Sequence, residues 1–79
     1  MIMLLSENDL ATIQTALDAR LETEMTRSLG DLRITVSTSR APPVWHPFLM
    51  LARLEIWDGH IYSTKWCVSA EEVRRFAGR

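Results

Sequence analysis

Between Phe48 and Val68 the chain reads FLMLARLEIWDGHIYSTKWCV, two runs of aliphatic, aromatic and β-branched residues on either side of one Asp-Gly pair. The pattern predicts a β-hairpin with strands at 48–57 and 60–68. The turn decides which side chains share a face, because side chains alternate along a strand and a one-residue slip exchanges the faces. A two-residue turn at Asp58-Gly59 sets Trp57 opposite His60 and Leu51 opposite Trp66, and mixes polar with apolar residues on both faces. A type I turn at Trp57-Asp58, with Gly59 as a left-handed bulge residue, sorts them better. Phe48, Met50, Ala52, Leu54, Ile56, Tyr62, Thr64, Trp66 and Val68 then form one face, the predicted core. Leu49, Leu51, Arg53, Glu55, Ile61, Ser63, Lys65 and Cys67 form the other, and the bulged turn is the predicted one.

The flanking segments supply the covering layer. Ser6 with Asp9 three positions on is a capping pair, and Leu5 and Leu10 are spaced as a hydrophobic staple. Leu10, Ile13, Leu17 and Leu21 continue as a helical stripe, and Gly30 is the first glycine, so a helix is predicted from Glu7 to Leu29. Leu32, Ile34 and Val36 alternate with Arg33, Thr35 and Ser37, the pattern of a half-buried strand. Pro42, Pro43 and Pro47 make the next stretch an ordered loop. Ser69 and Glu72 form a second capping pair, Val68 and Val73 a second staple, and Gly78 ends the last helix. The predicted fold is α+β over residues 1–79, a single domain of order α-β-β-β-α. A three-stranded antiparallel sheet carries a long N-terminal helix on one face and a short C-terminal helix. The opening MIMLL is expected to add a short edge strand.

Charge narrows the function classes. Residues 1–24 hold five acids and one base, a net of −4, while residues 25–79 hold five acids and eight bases, a net of +3. The total of −1 offers no global attraction to nucleic acid or to an anionic membrane. MIMLL is too short for a signal peptide, and no run approaches the roughly 20 apolar residues of a membrane helix. With a single cysteine there is no internal disulfide, so a cytoplasmic protein with no membrane partner is expected. Glu7, Asp18 and Glu22 fall on one exposed line of the predicted long helix, an acidic stripe suited to a basic partner.

Catalytic and metal chemistry find little support. His46, His60, Asp58 and Cys67 lack metal-ligand spacing. His60 and Cys67, at opposite ends of one predicted strand, lie roughly 23 Å apart, too far to share a metal or act as a nucleophile pair. There is no nucleophile elbow and no phosphate-binding glycine loop. No enzyme activity, cofactor or metal is expected. Surface contact remains: Leu49, Leu51 and Ile61 form an apolar outer patch with Trp57 at the tip and Lys65 beside them.

The S-E-N-D-L-A-T-I-Q-T-A-L-D-A-R-L-E-T-E helix, the lone cysteine and the lack of catalytic motifs resemble small phage-encoded inhibitors, anti-CRISPR proteins in particular. The resemblance implies a non-enzymatic protein that occludes a CRISPR effector complex in the host cytoplasm. Glu7, Asp18 and Glu22 would cover cations that hold nucleic acid, with Trp57, Leu49, Leu51, Ile61 and Lys65 at the contact. The α-β-β-β-α order also resembles the double-stranded RNA-binding domain, and Arg33, Arg53 and Lys65 project from the outer face. The last helix, however, opens on Glu71 and Glu72 where that family has a lysine cluster, so direct nucleic-acid binding is the lesser alternative. A homodimer through the outer sheet face is a third.

Overall fold

The computed structural model describes residues 4–40 and 50–77. Their order is α1 (Glu7–Ala19), β1 (Glu24–Leu29), β2 (Leu32–Arg40), β3 (Met50–Asp58), β4 (Ile61–Cys67) and α2 (Ala70–Ala77). The four strands form one antiparallel sheet in the sequential order β1-β2-β3-β4. Both helices pack on one face of it. The fold is α+β as expected, with four strands rather than three.

Helix α1 starts as the sequence predicts. The Ser6 hydroxyl accepts the Asp9 N–H at 3.0 Å, and the Asp9 carboxylate accepts the Ser6 N–H at 3.0 Å. Leu10, Ile13 and Leu17 enter the core together with Leu5. The helix ends ten residues before the predicted Leu29, because Arg20 takes left-handed backbone angles, φ 58° and ψ 41°. The Arg20 N–H then donates to Leu17 and the Leu21 N–H to Ala16, the paired bonds of a Schellman stop. Leu21, the expected fourth member of the stripe, lies beyond that stop and is exposed.

The segment after the stop forms a strand. Met25, Arg27 and Leu29 face the helices while Glu24, Thr26 and Ser28 face away, as the register with β2 requires. Thr38, buried on the helix side of β2, holds the connection that turns the chain into β1. Its hydroxyl donates to the Leu21 carbonyl at 2.7 Å and accepts the Thr23 N–H at 2.9 Å. Arg27 donates to Asp9 through Nη2 at 2.9 Å and Nε at 3.3 Å, tying β1 to the start of α1.

The hairpin turn differs from both registers considered above. Asp58 pairs with Ile61 and Trp57 with Tyr62, so the two loop residues are Gly59 and His60. Gly59 has φ +64° and His60 a negative φ, the pattern of a II′ turn, which places glycine first. Gly30-Asp31, joining β1 to β2, repeats the pattern, with Gly30 at φ +60°. The sorting of β3 is as predicted: Met50, Ala52, Leu54 and Ile56 are buried toward the helices. The sorting of β4 is reversed. Cys67, expected on the outer face, is fully buried in the core, whereas Tyr62 and Trp66, expected inside, are 40% and 38% exposed on the outer face. Val68, also expected inside, is exposed. Helix α2 buries Val73 and Ala77, and its first turn is capped by the Ser69 hydroxyl, which accepts the Glu72 N–H. The Glu72 carboxylate reaches back to the Val68 N–H at 2.7 Å, and the Ala70 N–H donates to Gln14 of α1 at 3.0 Å. The predicted strand at MIMLL, the proline loop, Phe48 and Gly78 lie wholly or largely outside the described residues; Leu4 and Leu5 form a bend ahead of α1.

Candidate binding surface

With both helices on one side, the other side of the sheet presents three rows that cross all four strands, with Ser39 and Leu51 paired beyond them. The register places Ser28, Arg33, Trp57 and Tyr62 in the first row. Thr26, Thr35, Glu55 and Thr64 form the second, and Glu24, Ser37, Arg53 and Trp66 the third. Neighbours in one row meet at cross-strand distance, so each row works as a set of pairwise contacts.

These side chains order one another. The Trp57 and Tyr62 rings lie 4.5 Å apart between centroids, tilted by 46°. The Arg33 guanidinium sits over the Trp57 ring at 5.4 Å, and that of Arg53 over the Trp66 ring at 6.0 Å. The Tyr62 hydroxyl donates to Glu55 at 2.9 Å, and Arg53 Nε approaches the same carboxylate at 3.7 Å. Trp57 is 38% exposed, close to Tyr62 and Trp66. Two arginines face two glutamates in the three rows, so the surface is neutral as well as aromatic. Beside the first row, a shallow pocket of about 390 Å³ opens between the two turns, lined by Ser28, Gly30, Asp31, Arg33, Trp57 and Gly59. The Gly59 N–H donates to the Asp31 carbonyl at 3.1 Å and fastens one turn to the other.

The residues singled out from the sequence are scattered. Trp57 is on this face. Leu51 shares the face but is only 2% exposed and stands outside the core cluster, and Leu49 lies outside the described residues. Lys65 and Ile61 belong to the helix side, because β4 is shifted from the predicted register. Lys65 extends beneath α2, with Nζ 4.9 Å from the Phe76 ring centroid, and Ile61 is exposed at the strand tip. Glu7 pairs with Arg74 of α2 at 2.8 Å, and Asp18 accepts the Gln14 side-chain amide at 2.9 Å. These two acids lie on one helix but roughly 16 Å apart along its axis. Glu22 lies past the Schellman stop, so the three acids do not make one stripe. Tyr62 and Trp66 were missed as surface residues. The signal for them was the Gly-X order at both turns.

Cys67 offers no nucleophile to this surface. It is buried on the opposite side, and desolvation, with Glu72 adding to it and Lys65 opposing, pushes its thiol up to about 11. It packs as a small apolar side chain. Among the described residues no group of three His, Cys, Asp or Glu side chains could hold a metal ion. No helix among them is long and apolar enough to cross a membrane.

No family model matches the chain, and no curated protein or solved structure shows significant similarity to it.

Proposed function

We propose that this is a non-enzymatic binding protein that acts by covering a surface of another protein, with the open sheet face as its contact. The observation that supports the reading is the exposed Arg33–Trp57–Tyr62 row backed by Arg53–Trp66. Trp, Tyr and Arg are the residue types that dominate binding energy at protein interfaces, and cross-strand contacts already hold these five in place. A prearranged side chain loses less conformational freedom on binding. This mode of action is that of small inhibitors such as the anti-CRISPR proteins, and a CRISPR effector complex is the partner class the likeness of the sequence names. The contact assigned here differs from an acidic mimic on α1, since Glu7 is paired with Arg74 and Glu22 is off the helix.

Direct nucleic-acid binding is less well supported. The rows are neutral, so they offer no net attraction to a phosphate backbone. A photo-crosslinking residue at Thr64 on the open face, with another at Thr15 on α1, tests the assignment in cells expressing the protein. A protein adduct from Thr64 that disappears in the Trp57→Ala/Tyr62→Ala double variant is expected, with none from Thr15. Adducts only from Thr15, or only with nucleic acid, would refute it; an adduct with a second copy of the chain would make the partner the protein itself.

A further inference from the structure

Arg27 meets the carboxylate of Asp9, Arg53 that of Glu55, and Arg74 those of Glu7 and Glu71. Arg33 meets none. Its guanidinium carbon lies over the Trp57 ring, 5.4 Å from the centroid, and Arg33 is one of the residues lining the pocket between the turns. A guanidinium presents its donors in its own plane, where a carboxylate accepts two of them side by side.

The pocket suits a single small anion. Gly30 and Gly59 line it without side chains. The Gly59-to-Asp31 hydrogen bond joins two of its lining residues, and Ser28, the cross-strand partner of Arg33, lines it as well. Asp31 borders the same space and would oppose a polyanion such as a phosphodiester chain more than one carboxylate.

We infer that this pocket takes an aspartate or glutamate side chain of the partner protein, held by Arg33, while the apolar neighbours of that acid rest on Trp57 and Tyr62. The inference rests on the open face being the contact, and it names the chemistry of what arrives there. It also reverses the expectation drawn from the acidic helix, which called for a basic partner.

Random short peptides displayed on phage and selected against the intact protein test it. The expected binders carry an acid beside an aromatic or aliphatic residue. Arg33→Gln weakens them about 10- to 100-fold, the loss of a charge-assisted hydrogen-bonded pair. Arg33→Glu restores binding to peptides whose acid is changed to lysine, which a variant that merely misfolds cannot do. Binders lost in Tyr62→Ala but lacking an acid, or indifferent to Arg33, would overturn this inference and leave the contact face standing. A selection that yields no binder sensitive to Arg33, Trp57 or Tyr62 overturns both. Arg33-dependent binding of a thymidine oligonucleotide, run as a parallel arm, overturns the carboxylate assignment in favour of phosphate.

Discussion

Replacing Thr38 with valine isolates the interaction that turns the chain from α1 into the sheet. Valine keeps the volume and the β-branch, so packing and strand propensity change little. The hydroxyl goes, and with it the bond to the Leu21 carbonyl at 2.7 Å and the bond from the Thr23 N–H at 2.9 Å. Each is worth about 0.5–1.5 kcal/mol net. Leu21 and Thr23 are exposed, so water can satisfy part of what is left behind, which sets the expected loss at about 1–2 kcal/mol. For a domain of this size that is a fall in Tm of roughly 5–15 °C. Equilibrium urea denaturation of Thr38→Val, Thr38→Ser and the parent chain reads it out. Serine keeps both hydrogen bonds and loses one methyl, at a cost of about 1 kcal/mol. Should valine match the parent in stability, or serine prove the worse of the two, the connection is not held by this hydroxyl.

Other perturbations probe other parts of the fold. The Asp9 carboxyl is held below its ordinary value, chiefly by the Ser6 backbone N–H and then by Arg27, against an opposing desolvation. A lowered carboxylate stabilises the fold above its unfolded value and ceases to do so as pH falls through the folded one, so Asp9→Asn should flatten the stability profile below roughly pH 4 in acid titrations followed by circular dichroism. The Cys67 thiol, pushed up to about 11, should resist thiol reagents in the native protein and react only on unfolding. Its raised value keeps the neutral form in place below the ordinary thiol range, and stability should decline as pH rises through the folded value. Arg20→Gly should raise stability by about 0.5–1 kcal/mol in denaturant melts by relieving the left-handed backbone at the helix stop. Arg27 Nη1 also donates to the Thr26 carbonyl at 2.9 Å, on the outer edge of the sheet, so Arg27→Ala should expose β1 to strand pairing and give concentration-dependent association in analytical ultracentrifugation.

What the sequence made legible was local. The Ser6–Asp9 cap, the Leu10–Ile13–Leu17 stripe and the alternation of β2 are each written within a few residues. The α1 stop was hidden because the left-handed residue is an arginine, and because Leu21 continues the helical spacing by coincidence. Strand β1 was hidden because its inward positions include Arg27, whose partner Asp9 is 18 residues away. The hairpin failed on a smaller point. Both registers considered put Asp58 in the turn, whereas a II′ turn places glycine first and makes His60 its second residue. Against the bulged register the resulting shift turns every β4 side chain over, which moved Tyr62 and Trp66 to the surface and Cys67 and Lys65 away from it; the two-residue register had the faces right and only the pairing displaced.

The same shift explains how the fold keeps an aromatic surface outside its core. The core cluster draws on β2, β3 and both helices, and from β4 it takes only Cys67. The outer positions of β4 are therefore not required to close the core. They carry Tyr62 and Trp66, partnered across the strand by Trp57 and Arg53. Arg33, Arg53 and Glu55 interrupt what would otherwise be a continuous apolar patch, and in doing so fix the rings in place. Changes at Tyr62 or Trp66 should accordingly affect binding more than stability. That separation is expected of a contact surface and not of a core, and comparing melts with crosslinking yields for Tyr62→Ala and Leu54→Ala distinguishes the two.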